Sequence, residues 1–180
     1  IKVGVSGVLP DETGDPIDVD ISDEWVPSLQ VEYFFNDHVS AELLCCVATH
    51  EVTAASGAID LGEVTHFPPT VTLKYRWTNF GQFEPYVGAG VNYTAFLDDK
   101  LPAGSPLASI DYDESFGGAI QAGVDIKLGQ SPWMLNLDVK KIWISTDVRI
   151  QAGPALNRAV VTADVDINPL VWGVGIGRKF

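Results

Sequence analysis

Hydrophobic and polar residues alternate with a period of two along most of this chain, the spacing that puts successive side chains on opposite faces of a β-strand. Over residues 25–35 one parity carries Trp25, Pro27, Leu29, Val31, Tyr33 and Phe35, and the other Val26, Ser28, Gln30, Glu32 and Phe34. After Asn36-Asp37-His38 the pattern restarts, with Val39, Ala41, Leu43, Cys45 and Val47 against Ser40, Glu42, Leu44 and Cys46. Val71, Leu73, Tyr75 and Trp77 then face away from Thr70, Thr72, Lys74 and Arg76. Residues 83–97 set Val87, Ala89, Val91 and Tyr93 against Tyr86, Gly88, Gly90 and Phe96, and residues 116–128, 133–140 and 170–180 repeat the scheme. With a short opening strand at 2–8, eight strands are expected, and no stretch reads as an amphipathic helix of three turns.

Several of these strands run past ten residues. Strands in soluble domains average about five or six residues, whereas about 9 to 11 are needed to cross a bilayer at the usual tilt. Connections alternate between tight turns at 36–38, 79–82 and 129–132 and long segments near 9–24, 51–67, 98–114 and 146–164. Short turns at one end and long loops at the other are the plan of an all-β, eight-stranded antiparallel transmembrane β-barrel, here one domain over residues 1–180. Closure removes the unpaired edges that lipid does not tolerate. Tyr33, Phe35, Tyr75, Trp77, Trp133 and Phe180 cluster beside the short turns on the apolar parity, as an interfacial girdle would, with Arg178 close enough to snorkel. A soluble lipocalin-like barrel would turn the apolar parity inward, but its outer face should then be rich in Lys and Glu rather than glycine.

Composition sharpens this picture: 46% of residues are hydrophobic and only 19% charged, against about 25% charged in ordinary soluble domains. The net charge of -13 argues against nucleic acid and anionic headgroups as non-specific partners. Seven acids crowd the first loop: Asp11, Glu12, Asp15, Asp18, Asp20, Asp23 and Glu24. Their spacing is not that of an EF-hand, and solvated acid is the simpler reading. The adjacent Cys45 and Cys46 point to opposite faces of a strand, which suits neither a disulfide nor a metal site. His38, His50 and His66 lack short metal-ligand spacing, and no nucleophile motif gathers Ser, His and Asp, so no enzyme activity, metal or cofactor is expected. The opening Ile1-Lys2-Val3 lacks an initiator Met and reads as a processed or trimmed product.

Thr65-His66-Phe67-Pro68-Pro69-Thr70, the run from Phe83-Glu84-Pro85-Tyr86 to Asn92-Tyr93-Thr94, and the ending Gly177-Arg178-Lys179-Phe180 resemble signatures of the OmpW family of bacterial outer-membrane proteins, related to the alkane-uptake barrel. The likeness runs in register from Trp25 to Phe180 and departs in the acidic first loop. It implies a narrow, largely hydrophobic lumen that admits small hydrophobic solutes from outside and releases them sideways into the bilayer. It also implies periplasmic termini, a terminal Phe read by the barrel-assembly machinery, and contact with outer-membrane lipid and lipopolysaccharide, with the barrel acting as a monomer. Pro68 and Pro69 resemble the prolines beside the family's lateral opening. Lacking N–H groups, they remove ladder bonds, although they could equally just start a strand cleanly.

An eight-stranded barrel has room for side chains or one small ligand, not for a wide aqueous pore. The inward parity gives Leu44, Tyr86, Gly88, Gly90, Phe96 and Met134 as lumen lining, with the glycines expected to leave a path. Glu32, Glu42, Lys74, Arg76, Asp125, Lys127, Asp138 and Lys140 supply a charged plug below it, because enclosed charges of both signs must pair or stay wet. Passive transport of small hydrophobic molecules is the leading expectation, and a non-transporting structural or surface-interaction barrel the alternative.

Overall fold

The computed structural model describes residues 1–11, 13–15, 19–54, 59–101, 107–153 and 159–180. Eight antiparallel strands close into a barrel: β1 (Lys2–Leu9), β4 (Glu24–Phe34), β5 (Val39–Cys46), β8 (Thr70–Arg76), β9 (Phe83–Lys100), β11 (Ser115–Lys127), β12 (Trp133–Ile142) and β15 (Leu170–Arg178). Their order is β11-β12-β15-β1-β4-β5-β8-β9, and pairing of β9 with β11 completes the circle. The three tight turns fall where the alternation breaks, and Gly81 and Gly129 take φ of +68° and +65° there, a left-handed conformation that glycine adopts without steric cost.

The long connections are not loops in the ordinary sense. Most of their described length is strand: β2 (Thr13–Asp15), β3 (Val19–Ile21), β6 (Ala48–Ala54), β7 (Ile59–Phe67), β10 (Leu107–Tyr112), β13 (Ser145–Ala152) and β14 (Val160–Asp166). Above the barrel these form two wings, one of β3, β6, β7 and the distal part of β9, the other of β10, β13, β14 and β2. The single stave over 133–152 shows why. Its inward positions are Met134, Asn136, Asp138 and Lys140, then Ile142, Ile144, Val148 and Ile150; its outward ones are Trp133, Leu135, Leu137 and Val139, then Trp143, Asp147 and Arg149. The parity never slips, but its polarity inverts near Trp143. Below that level the outside is apolar and the inside polar; above it the reverse holds, as expected where the surroundings change from lipid to water.

Aromatic rings mark the two interfaces. Tyr33, Trp77, Phe83 and Trp133 ring the short-turn end, while Trp25, Phe116 and Trp143 stand exposed and Tyr93 half-buried at the other. Trp172 meets Trp25 edge-on at 4.4 Å, and Tyr93 leans on Phe116 at 5.5 Å. Phe83 and Tyr93 bracket the lipid-facing part of β9; a rise of about 3.3 Å per residue and a tilt near 40° put the girdles about 25 Å apart, the height of an outer-membrane barrel's apolar belt. Val87 lies at the middle of this belt and Val91 next to its upper rim. Val87→Arg should therefore lower the folding free energy in liposomes by about 2–4 kcal/mol and Val91→Arg by less. Denaturant titration of the two variants checks the depth dependence.

Candidate functional site

The lower half of the lumen is filled by ion pairs. Arg76 is central: its Nη1 donates to Asp125 Oδ2 at 2.6 Å and Glu84 Oε2 at 3.1 Å, and its Nη2 to Glu32 Oε1 at 2.8 Å. Lys74 bonds Glu42 at 2.7 Å and lies 3.2 Å from Glu32, and Lys140 pairs with both Asp138 and Glu42. Lys2 adds ion pairs to Glu32 at 2.9 Å, Glu42 at 3.1 Å and Asp125 at 3.4 Å. Tyr86 occupies the middle of the cluster: its hydroxyl donates to Asp138 at 2.7 Å and accepts from Asn136 at 2.8 Å, while the Lys74 ammonium sits 3.7 Å from its ring centre. Seven strands contribute, so the cluster ties the barrel wall across its diameter.

The sequence-derived residues do not all sit together. Glu32, Glu42, Lys74, Arg76, Asp125, Asp138 and Lys140 are enclosed in this cluster, but Lys127 is not: its side chain is 46% exposed and pairs with Glu84 at the short-turn rim. Tyr86 is part of the charged filling rather than the wall of an open lumen. Gly88, Gly90 and Gly123 leave no path beside it. Gly88 faces Lys74 and Gln121, a side chain at Gly123 would collide with the Tyr86 hydroxyl, and one at Gly90 with the Val71 carbonyl. Met134 lies toward the lower mouth with Lys2 and Phe34, Leu44 is buried where β5 meets Thr70 of β8, and Phe96 belongs to the upper wall. Lys2, Glu84 and Asn136 escaped the sequence reading, although each falls on the inward parity of its strand: Lys2 with Ser6, Glu84 with Tyr86, and Asn136 with Asp138.

Above the charged layer the interior changes character. A cavity of about 740 Å³, counting its open mouth, lies between the wings. Val8, Val52, Val64, Ile144, Ile150 and Val165 line it, and Phe96 stacks on Tyr112 at 5.2 Å where β9 and β10 part. The polar side chains that reach it are tied to the protein: Thr94 donates to Asn92 Oδ1, Thr146 to the Asp113 carbonyl, and His50 Nδ1 lies 2.7 Å from the Ser22 carbonyl. On the wet face of a wing, Asp147 stands opposite Asp164, and sharing a hydrogen bond with that acid raises its carboxyl above the usual range. Of the acidic first loop, Glu12 and Asp18 lie outside the described residues.

Pro68 and Pro69 lie between β7 and β8 at the level of the upper girdle. Pairing of β5 with β8 ends at Leu44 and Thr70, and pairing of β6 with β7 begins at Ala48 and His66. Between them, residues 45–47 and 67–69 face each other with no ladder pairing among the described residues.

A closed eight-stranded barrel with two aromatic girdles, a charged floor and an apolar upper chamber defines an outer-membrane β-barrel protein. The chain belongs to the OmpW family, whose profile matches residues 2–180. It is 33% identical over its full length to the uncharacterized outer-membrane protein y4mB of Sinorhizobium fredii, spanning 79% of that protein. It is 32% identical to the dibenzothiophene metabolism operon protein PahQ of Pseudomonas aeruginosa over 89% of this chain and 74% of that one. The crystal structure of the outer membrane protein OprG from Pseudomonas aeruginosa superposes with a TM-score of 0.92 at 27% identity, covering 99% of this chain and 93% of that chain.

Removing one member of a buried ion cluster strands its partners. Arg76→Ala should cost about 3–5 kcal/mol of stability by that principle, whereas Lys127→Ala should change it by less than about 1 kcal/mol because the pair is half in water. Unfolding midpoints in detergent or liposomes distinguish the two. Planar-bilayer recordings of the unaltered protein should show no steady ion current.

Proposed function

We propose that this barrel lets small hydrophobic molecules cross the outer membrane passively, and that they leave it sideways into the bilayer rather than through its lower end. The observation that carries this reading is the vertical order of three features: an apolar chamber open between the wings, a layer of ion pairs beneath it, and a ladder gap at residues 45–47 and 67–69 near the chamber floor. An apolar solute gains nothing by entering the ion-pair layer, since separating those charges costs several kcal/mol, but loses little by passing into lipid of similar polarity. The gap lies at the level of the upper girdle, where its unpaired backbone groups can reach water or headgroups. Similarity to a protein named for a dibenzothiophene metabolism operon supports a hydrophobic solute.

In this reading the short turns and both termini face the periplasm, the wings face outward among lipopolysaccharide, Phe180 serves barrel assembly, and the barrel works as a monomer without a cofactor. The Pro68 and Pro69 gap is the exit. Replacing both prolines with Ala restores two N–H donors, that at position 68 facing residues 45–47 and that at position 69 facing Tyr93 of β9, and should slow uptake of a small apolar probe several-fold in proteoliposomes at matched barrel abundance. Ala163→Phe, which fills the chamber from a buried wall position, should lower uptake as well while leaving the ion-pair layer intact. Unchanged uptake by a correctly inserted proline variant would remove the gate; uptake by the unaltered protein no faster than by protein-free liposomes would leave a structural or surface role as the better account.

A further inference from the structure

The ladder gap has a keeper that no sequence pattern singled out. Asn92 of β9 is fully buried, and its side-chain amide donates to the carbonyl of Pro68 at 3.2 Å, the carbonyl of Pro69 at 3.4 Å and the hydroxyl of Thr70 at 3.0 Å. The Thr94 hydroxyl donates to Asn92 Oδ1 at 2.8 Å, which fixes which end of the amide faces the prolines. Thr70 in turn donates from its hydroxyl to the Pro68 carbonyl at 3.1 Å. Successive carbonyls of a strand point to alternate neighbours. The Pro69 carbonyl takes the normal course and accepts from the Tyr93 N–H of β9 at 3.1 Å. The Pro68 carbonyl belongs to the other side, where residues 45–47 lie, yet its partners are Asn92 and Thr70.

We infer that Asn92 is the positioning residue that holds the gap open, by drawing toward the lumen the carbonyl that would otherwise accept a ladder bond from residues 45–47. This rests on the lateral-exit reading for its functional meaning, though not for its structural content. Pro68 removes the donor from one edge of the gap, while Pro69 faces Tyr93 of β9, but a gap edge also has acceptors. A buried carbonyl without a partner costs about 1–3 kcal/mol, a strong drive to capture the N–H groups opposite. Asn92 removes that drive. Because Thr94 both orients Asn92 and lines the apolar chamber, the wall a solute touches is two hydrogen bonds from the edge it would pass.

The test is hydrogen–deuterium exchange of the protein in lipid nanodiscs, with β12 amides as internal reference, alongside uptake of a small apolar fluorophore into proteoliposomes. Asn92→Leu removes the donors at similar volume; Thr94→Val removes only the bond that orients them and guards against a fold lost to the first change. The Cys46 amide, the N–H within residues 45–47 that faces the Pro68 carbonyl, should exchange at least fivefold more slowly in Asn92→Leu and to a smaller extent in Thr94→Val, and uptake should fall at least threefold. Exchange at Cys46 that is unchanged or faster in both variants would overturn the inference, whatever uptake does. Slower exchange at Cys46 together with negligible uptake by the unaltered protein would sustain Asn92 as the spacer and overturn the transport reading instead.

Discussion

Within the hydrocarbon of a membrane a backbone N–H or C=O has no water to turn to, and most of this structure follows from that one requirement. It forces closure, and the pairing of β9 with β11 supplies it. Closure at eight strands fixes a lumen too narrow for a channel but wide enough to need filling. What fills it is polar, because the apolar parity of each strand is committed to lipid. Charges enclosed in that space must be paired, and the cluster around Arg76 and Tyr86 pairs them so that every acid in it meets more than one donor group: Glu32, Glu42, Asp125 and Asp138 each do, and Glu84 has Arg76 and Lys127 at the rim. This layer of ion pairs is thus a consequence of barrel size and strand parity together.

The same backbone requirement limits where the ladder can be interrupted. A break at the level of Val87 would leave bare peptide groups in the middle of the apolar belt. The observed break is level with the upper girdle, and even there the proline carbonyls are gathered in by Asn92, Thr70 and Tyr93. An opening for apolar solutes is therefore compatible with a stable barrel only in a narrow band of height. That band coincides with the inversion of polarity along the staves, where the lumen turns from charged to apolar.

The alternation along the chain by itself determined the transmembrane strands, their tight turns, the lipid-facing residues and most members of the ion cluster, because a two-residue period in a bilayer leaves each side chain only two directions. Even the missed members, Lys2 and Glu84, lay on a readable parity. The tight turns were legible because asparagine and glycine at their tips break the alternation locally. Four other things were decided only by the tertiary structure. The long connections became wings because their inward positions, such as Val148 and Ile150, find one another across the chamber, a long-range contact that no local pattern announces. Gly123 gave up its space instead of leaving it open, since a glycine opposite Tyr86 lets that ring in. Lys127 stayed out of the cluster because its strand reaches the rim just there. Asn92 looked like one more polar residue in a strand; its place beside the Pro68 carbonyl depends on the pairing of β8 with β9, which brings residues 24 positions apart within hydrogen-bonding distance. Sequence periodicity gives each side chain a direction, and only the register of neighbouring strands decides what stands there to meet it.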